Sequence, residues 1–155
     1  MTDATRTIEE KWDLTYRHAA GPVVSHFYDR LQSDGVLVGR RCPQCTRVLV
    51  PPRSFCDRCY VDTEDWIEVG PEGVVETFTV VYREFQSLPE PPYAMAYVRL
   101  DGADTAILNY VRGLDLREPV AAAAALRPGT RARLVVDEPQ RRQGRITDFW
   151  FELLP

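Results

Sequence analysis

The sequence predicts a mainly β protein with N-terminal helices, and three observations lead there. Four cysteines, Cys42, Cys45, Cys56 and Cys59, form two Cys-x-x-C pairs inside one short segment, with no other cysteine in the chain. After them run five β-branched and aromatic stretches, with one alanine-rich stretch between the third and the fourth. Before them lies a segment whose apolar residues recur at three- and four-residue steps. In chain order these predict a helical segment over residues 1–34, a metal-closed β module over 35–67 and a five-stranded barrel over 68–155.

The helical reading covers about Thr7 to Leu31. Trp12, Tyr16, Ala19, Val23, Phe27 and Leu31 fall on one helix face. Gly21-Pro22 interrupts the run, and proline suits a first helical turn, so two helices or one kinked helix are expected rather than a straight rod. The stripe is rich in aromatics. It has two readings, packing on its own domain and docking to another chain.

Val36-Leu37-Val38 and Val48-Leu49-Val50 read as short strands flanking the first cysteine pair, with Pro51-Pro52 ending the second strand and Asp62 to Asp65 forming an acidic turn. Two pairs of soft thiolates on paired turns suit a tetrahedral ion, and zinc prefers that geometry with Zn–S distances of roughly 2.3 Å. Four protein ligands leave no open position, which makes the zinc a structural cofactor; iron is the other metal that four thiolates favour. A disulfide framework belongs mainly to secreted proteins, and no apolar run follows a basic start at the N-terminus. A redox dithiol needs one such pair beside a βαβ unit. The module is therefore a zinc ribbon, too small to fold on buried apolar surface alone.

The barrel strands are read at Val74–Arg83, Ala94–Leu100, Thr105–Val111, Arg131–Val136 and Ile146–Leu153. Asp101-Gly102 is a tight-hairpin signal, Arg117 to Leu126 is the helical stretch, and Pro128-Gly129 closes it. Five strands with a helix between the third and fourth follow the order of an OB-fold. The long loop Glu84–Pro92, with Phe85 and Leu88, leaves the first strand, and loops of that length are often functional.

The composition, 45% hydrophobic and 27% charged, is that of a globular chain with no apolar run long enough to span a bilayer. A net charge of −4 disfavours a general nucleic-acid partner. The cysteine usage fits a reducing cytoplasm. Lys11 is the only lysine; arginines cluster at Arg40, Arg41, Arg47, Arg53 and Arg58, and again at Arg141, Arg142 and Arg145. Each group reads as a solvated face or as an anion site. The only histidines, His18 and His26, precede the ribbon, so no Ser-His-Asp or Cys-His set lies within the barrel. Gly70-Pro71-Glu72-Gly73 is a turn and not a phosphate loop, while Asp104 and Asp148 are flagged as polar contacts beside strands. No catalytic residue is assigned.

The run Gly39-Arg40-Arg41-Cys42-Pro43-Gln44-Cys45, then Pro51-Pro52-Arg53 and Cys56-Asp57-Arg58-Cys59, resembles the DUF35 family of zinc-ribbon OB-fold proteins. Gly73 to Val81, Pro92 to Leu100 and the Pro128-Gly129 turn extend the likeness, which runs from about Val23 to the C-terminus. Pro119 to Pro128 departs from it by being long and alanine-rich. The resemblance implies an accessory subunit of thiolase-superfamily enzymes, among them archaeal thiolase–HMG-CoA synthase assemblies. It also implies the lipid-transfer-protein-like aldolases of steroid side-chain breakdown, with the pair forming a heterotetramer. On that basis Trp12, Tyr16, Phe27 and Tyr28 are the expected docking residues, and Arg53, Phe85 and Tyr93 the expected acyl-CoA contacts. Two other functions compete. One is a single-stranded nucleic-acid binder using Phe78, Tyr82 and Tyr110 as stacking platforms; the other is a free-standing acyl-CoA carrier.

Overall fold

The computed structural model describes residues 17–85 and 88–155. One helix, α1 (Pro22–Asp34), opens the described chain. Pro22 sits in its first turn after Gly21 in extended conformation, as the Gly-Pro pair predicts. Residues 17–21 are not helical, so the expected helix does not run through them; Trp12 and Tyr16 lie outside the described residues. The helix ends at Gly35, whose φ of 71° is left-handed and whose N–H donates to the Leu31 carbonyl. A side chain at Gly35 would meet the Arg142 guanidinium at 2.6 Å, because Arg142 reaches in from the far end of the chain. There Arg142 donates to the carbonyls of Asp137 and Gln32.

The ribbon sheet has three strands in the order β2-β1-β3: β1 (Leu37–Arg41), β2 (Val48–Leu49) and β3 (Trp66–Val69). The third is an addition to the two strands the sequence indicates. Trp66–Val69 pairs antiparallel with Leu37–Arg40 and crosses the boundary expected between residues 67 and 68. It alternates too briefly, between an acidic turn and Gly70-Pro71, to signal a strand by period alone.

The barrel strands are β4 (Glu72–Val81), β5 (Tyr93–Leu100), β6 (Ile107–Arg112), β7 (Arg131–Val136) and β8 (Phe149–Leu153). They close in the order β4-β5-β6-β8-β7, with β6 and β8 parallel and β7 returning antiparallel to β4. The last strand inserts between the third and fourth, which is OB-fold connectivity. Alternation along β5 sends Ala94, Ala96, Val98 and Leu100 inward to meet Val75, Ile107, Val111, Phe149 and Phe151. The helix α2 (Pro119–Ala125) adds Ala122, and Leu126 follows it into the core. β8 starts later than the expected Ile146, because buried Asp148 accepts from the backbone N–H groups of Gln143 and Arg145 and holds 146–148 in a 3-10 turn.

Ribbon and barrel share a polar seam. The Thr105 hydroxyl donates to the Val50 carbonyl at 2.8 Å and accepts from the Val50 N–H at 2.7 Å. Asp104 does the same for Val48: its carboxylate takes the Val48 N–H at 2.8 Å, and its own N–H donates to the Val48 carbonyl at 2.9 Å. Both residues precede β6, which explains why that strand begins at Ile107 and not at Thr105. Across the seam α1 lays Phe27 and Leu31 into the common core.

On the barrel surface Arg131 bridges Asp101 and Glu72 at 2.7 and 2.8 Å. The Arg131 hydrogen bond holds the Asp101 carboxyl below its usual range. A depressed carboxylate contributes stability above its unfolded pKa of about 3.9 and loses it as pH falls through the folded value. We expect Arg131→Gln to melt below wild type at pH 7, with the gap closing below about pH 4. Thermal melts of both proteins across pH 3–7 check this, since acid release of the metal affects both alike.

Candidate functional site

Each cysteine pair sits on a tight turn built the same way. Cys42 N–H donates to the Arg47 carbonyl at 2.9 Å, and Thr46 N–H returns to the Cys42 carbonyl at 3.0 Å. In the second turn Cys56 N–H donates to the Val61 carbonyl at 2.8 Å, and Tyr60 N–H to the Cys56 carbonyl at 2.9 Å. Thr46 and Tyr60, each just after the second cysteine of its pair, have φ of 60° and 56°. That left-handed residue folds the turn back so that both thiols point to one spot, and β-branched Thr46 adopts it at a conformational cost.

All four sulfurs lie within 4.8 Å of one another, and Cys45 Sγ is 3.7 Å from Cys56 Sγ. A tetrahedron with Zn–S bonds of roughly 2.3 Å has edges of about 3.8 Å, which the Cys45–Cys56 separation matches. The Cys45 N–H points at Cys42 Sγ at 3.5 Å, and Cys42 and Cys56 are fully buried. Within the cluster the Arg58 backbone N–H brings the Cys56 thiol down to about 7, whereas a hydrogen bond with Cys45 pushes Cys59 up to about 12. One thiolate opposes the next, and a dication removes that opposition.

The arginines around the centre are largely engaged by the protein itself. Arg40 packs over Trp66 at 4.9 Å and donates to the Thr63 hydroxyl and carbonyl. Buried Thr63 in turn donates to the Arg53 carbonyl at 2.6 Å. Arg47 and Arg53 share Asp57, at 3.1 and 3.4 Å. His26 stacks on Trp66, its ring 4.1 Å away, which ties α1 to the ribbon.

The expected contact residues do not form one site. Phe27 is only 3% exposed and belongs to the core, so the docking expectation is corrected for its ring; Tyr28 beside it is half-buried. Next to them two adjoining grooves flank α1. One holds Val23, Val24, Pro52, Arg53 and Phe55; the other holds Val24, Tyr28, Pro51 and Ile146. Arg53 thus sits beside the helix. Tyr93 lies elsewhere, in a groove of about 350 Å³ between Pro89 and Pro92 of the long loop and the segment after β6. Exposed Phe85 lines none of these grooves. Of the residues proposed for stacking, Phe78 packs against the core and Tyr82 is 45% exposed, while Tyr110 meets Tyr93 edge to face at 5.8 Å.

The charged residue of the Tyr93 groove went unassigned in the sequence. Arg112 ends β6 and stacks over Trp150 of β8 at 4.2 Å. The signal was present in the outward-facing alternation Leu108, Tyr110, Arg112 before Gly113. No helix among the described residues is long and apolar enough to cross a membrane.

Comparison with known proteins follows the same division of the chain. Residues 33–64 match the rubredoxin-like zinc ribbon domain of ChsH2, and residues 66–137 match the C-terminal OB-fold domain of ChsH2. The four-cysteine centre is accordingly a structural zinc site. Over 69 residues the chain is 33% identical to a DUF35 domain-containing scaffold protein of Methanocaldococcus jannaschii. That alignment covers 42% of this chain and 48% of the relative, so the chain spans about half the relative's length. Among solved structures, a DUF35 protein of unknown function from Sulfolobus solfataricus superposes with a TM-score of 0.59 at 20% identity, over 86% of this chain and 84% of that one. A chain of the Ltp2-ChsH2(DUF35) aldolase gives a TM-score of 0.62 at 20% identity, over 88% and 97%. At these identities the two structures speak to the fold.

Proposed function

Because the chain belongs to the DUF35 family of zinc-ribbon and OB-fold proteins, we propose that it is the accessory, non-catalytic subunit of a thiolase-like acyl-CoA enzyme. The reaction we assign first is retro-aldol cleavage of a β-hydroxyacyl-CoA in steroid side-chain degradation. The observation that carries this reading is the order of the two matches: both ChsH2-type domains follow each other on one chain with the fold of a subunit of an aldolase assembly. The chemistry of the described residues is consistent with a supporting role. All four thiols turn inward to a closed metal site, and His26 packs against Trp66 with its ring tilted by 38°. The apolar grooves beside α1 supply a docking face, and the groove beside Pro89 and Pro92 supplies a place for part of an acyl-CoA. We assign the complex to the cytoplasm as a two-plus-two assembly, with the ribbon running through β3 to Val69 and the barrel beginning at β4.

The test is co-expression with a thiolase-like candidate partner. The expected result is co-purification as one species, with cleavage of a β-hydroxyacyl-CoA by the pair and loss of solubility or activity when the partner is made alone. A partner that folds and turns over unaided ends the reading. For the nucleic-acid alternative we expect no retention of single-stranded DNA in filter binding even at low salt, since Arg99 is already paired with Glu76 at 2.8 Å and the chain carries −4 overall.

A further inference from the structure

We infer that the groove beneath the long loop binds a small anion carried on an apolar body, with Arg112 as the group that holds the anion. The ligand end is a carboxylate or a phosphate monoester. The inference deepens the acyl-CoA reading above, and rests on it only in placing a ligand under this loop; no partner subunit is required.

Most of the groove wall is apolar: Pro89 and Pro92 on the loop side, Val111, Leu114 and Leu116 on the other. Its volume of about 350 Å³ is at the small end for ligand pockets, enough for a medium acyl chain and too small for a whole nucleotide thioester. No acidic residue lines it. Arg112 stands at its wall without an ion pair among the described residues, while neighbouring arginines are neutralised: Arg99 by Glu76, Arg117 by Asp115 and Arg133 by Glu152. The Trp150 ring beneath the guanidinium limits its freedom, so less ordering is needed when it meets an oxyanion. Two tyrosines line the same groove. Tyr93 and Tyr110 stand edge to face at 5.8 Å, and neither hydroxyl hydrogen-bonds to another described residue. A planar guanidinium and two phenols with no acceptor of their own, set in an apolar wall, form an arrangement that an amphiphilic anion completes. The mouth is open at Gly113, around whose α-carbon a side chain would meet nothing within 4 Å.

The experiment is isothermal titration of the 155-residue chain with octanoate, octyl phosphate, CoA and inorganic phosphate. We expect saturable binding of octanoate, octyl phosphate or both, at least tenfold weaker in Arg112→Gln and intermediate in Arg112→Lys. Arg99→Gln, which does not line this groove and is paired with Glu76, should bind as wild type, and melting temperatures should match throughout because Arg112 and Arg99 are exposed. Tight octanoate binding identifies a carboxylate as the anion; binding of octyl phosphate alone identifies the phosphate monoester. Equal binding by Arg112→Gln, a larger loss in Arg99→Gln, or no binding of either amphiphile at millimolar concentration overturns the inference. Co-purification with the partner is scored separately, so the accessory-subunit reading stands or falls without this result.

Discussion

Removing the metal should unfold the ribbon, and this is the largest single effect expected of any change to the chain. Structural zinc in small cysteine modules contributes apparent binding energies of about 10–16 kcal/mol, which exceeds or equals the whole stability of an ordinary domain, about 5–15 kcal/mol. Here the ion closes two turns, each held open-ended by a left-handed residue, Thr46 and Tyr60. Without it four thiols crowd one site, all within 4.8 Å of one another. We expect wild type to carry one zinc per chain and Cys42→Ser or Cys56→Ser to carry none, with loss of amide-exchange protection at Cys42, Thr46, Cys56 and Tyr60. The barrel should keep its own protection along β5 and β6, because Ala96, Val98 and Ile107 are buried among barrel residues. Its melting temperature should nevertheless fall, since Val48 and Val50 are partners of Asp104 and Thr105 across the seam. A Cys56→Ser protein that holds no metal and melts with wild type would refute the staple role.

The zinc centre was legible because its chemistry is written locally: ligand type, spacing and number all lie within one short segment. The barrel was legible because alternation and the placing of one helix specify OB order. What escaped the sequence depends on contacts distant along the chain. β3 exists because Leu37–Arg40 offers it an edge, and its own four residues say little. The roles of Asp104 and Thr105 as a seam require Val48 and Val50 to arrive beside them from more than fifty residues away. The same holds for Arg112, whose pairing with Trp150 follows from the parallel β6–β8 register. The arginine clusters divided along the same line: composition could not tell a solvated face from an anion site, and partners such as Asp57 and Thr63 decided it for Arg47, Arg53 and Arg40.

Phe27→Ala should cost about 3–5 kcal/mol of stability, the usual loss for truncating a buried phenylalanine. The ring is 3% exposed, meets Tyr28 edge to face at 5.3 Å and lies in the core with Leu31, at the point where α1 spans ribbon and barrel. Such a loss is a large fraction of a domain's stability, so a failed partner pull-down with this variant would report unfolding and say nothing of docking. The residue that separates the two effects is Val24, on the same helix, 41% exposed and shared by both grooves beside α1. Val24→Ser should leave the melt within about 0.5 kcal/mol of wild type, as surface substitutions do. If the grooves take the partner, the same variant should weaken association tenfold or more, read as a faster off-rate by surface plasmon resonance. Unchanged association in Val24→Ser, with Phe27→Ala destabilised as stated, would leave α1 as an internal brace and move the docking surface elsewhere on the chain.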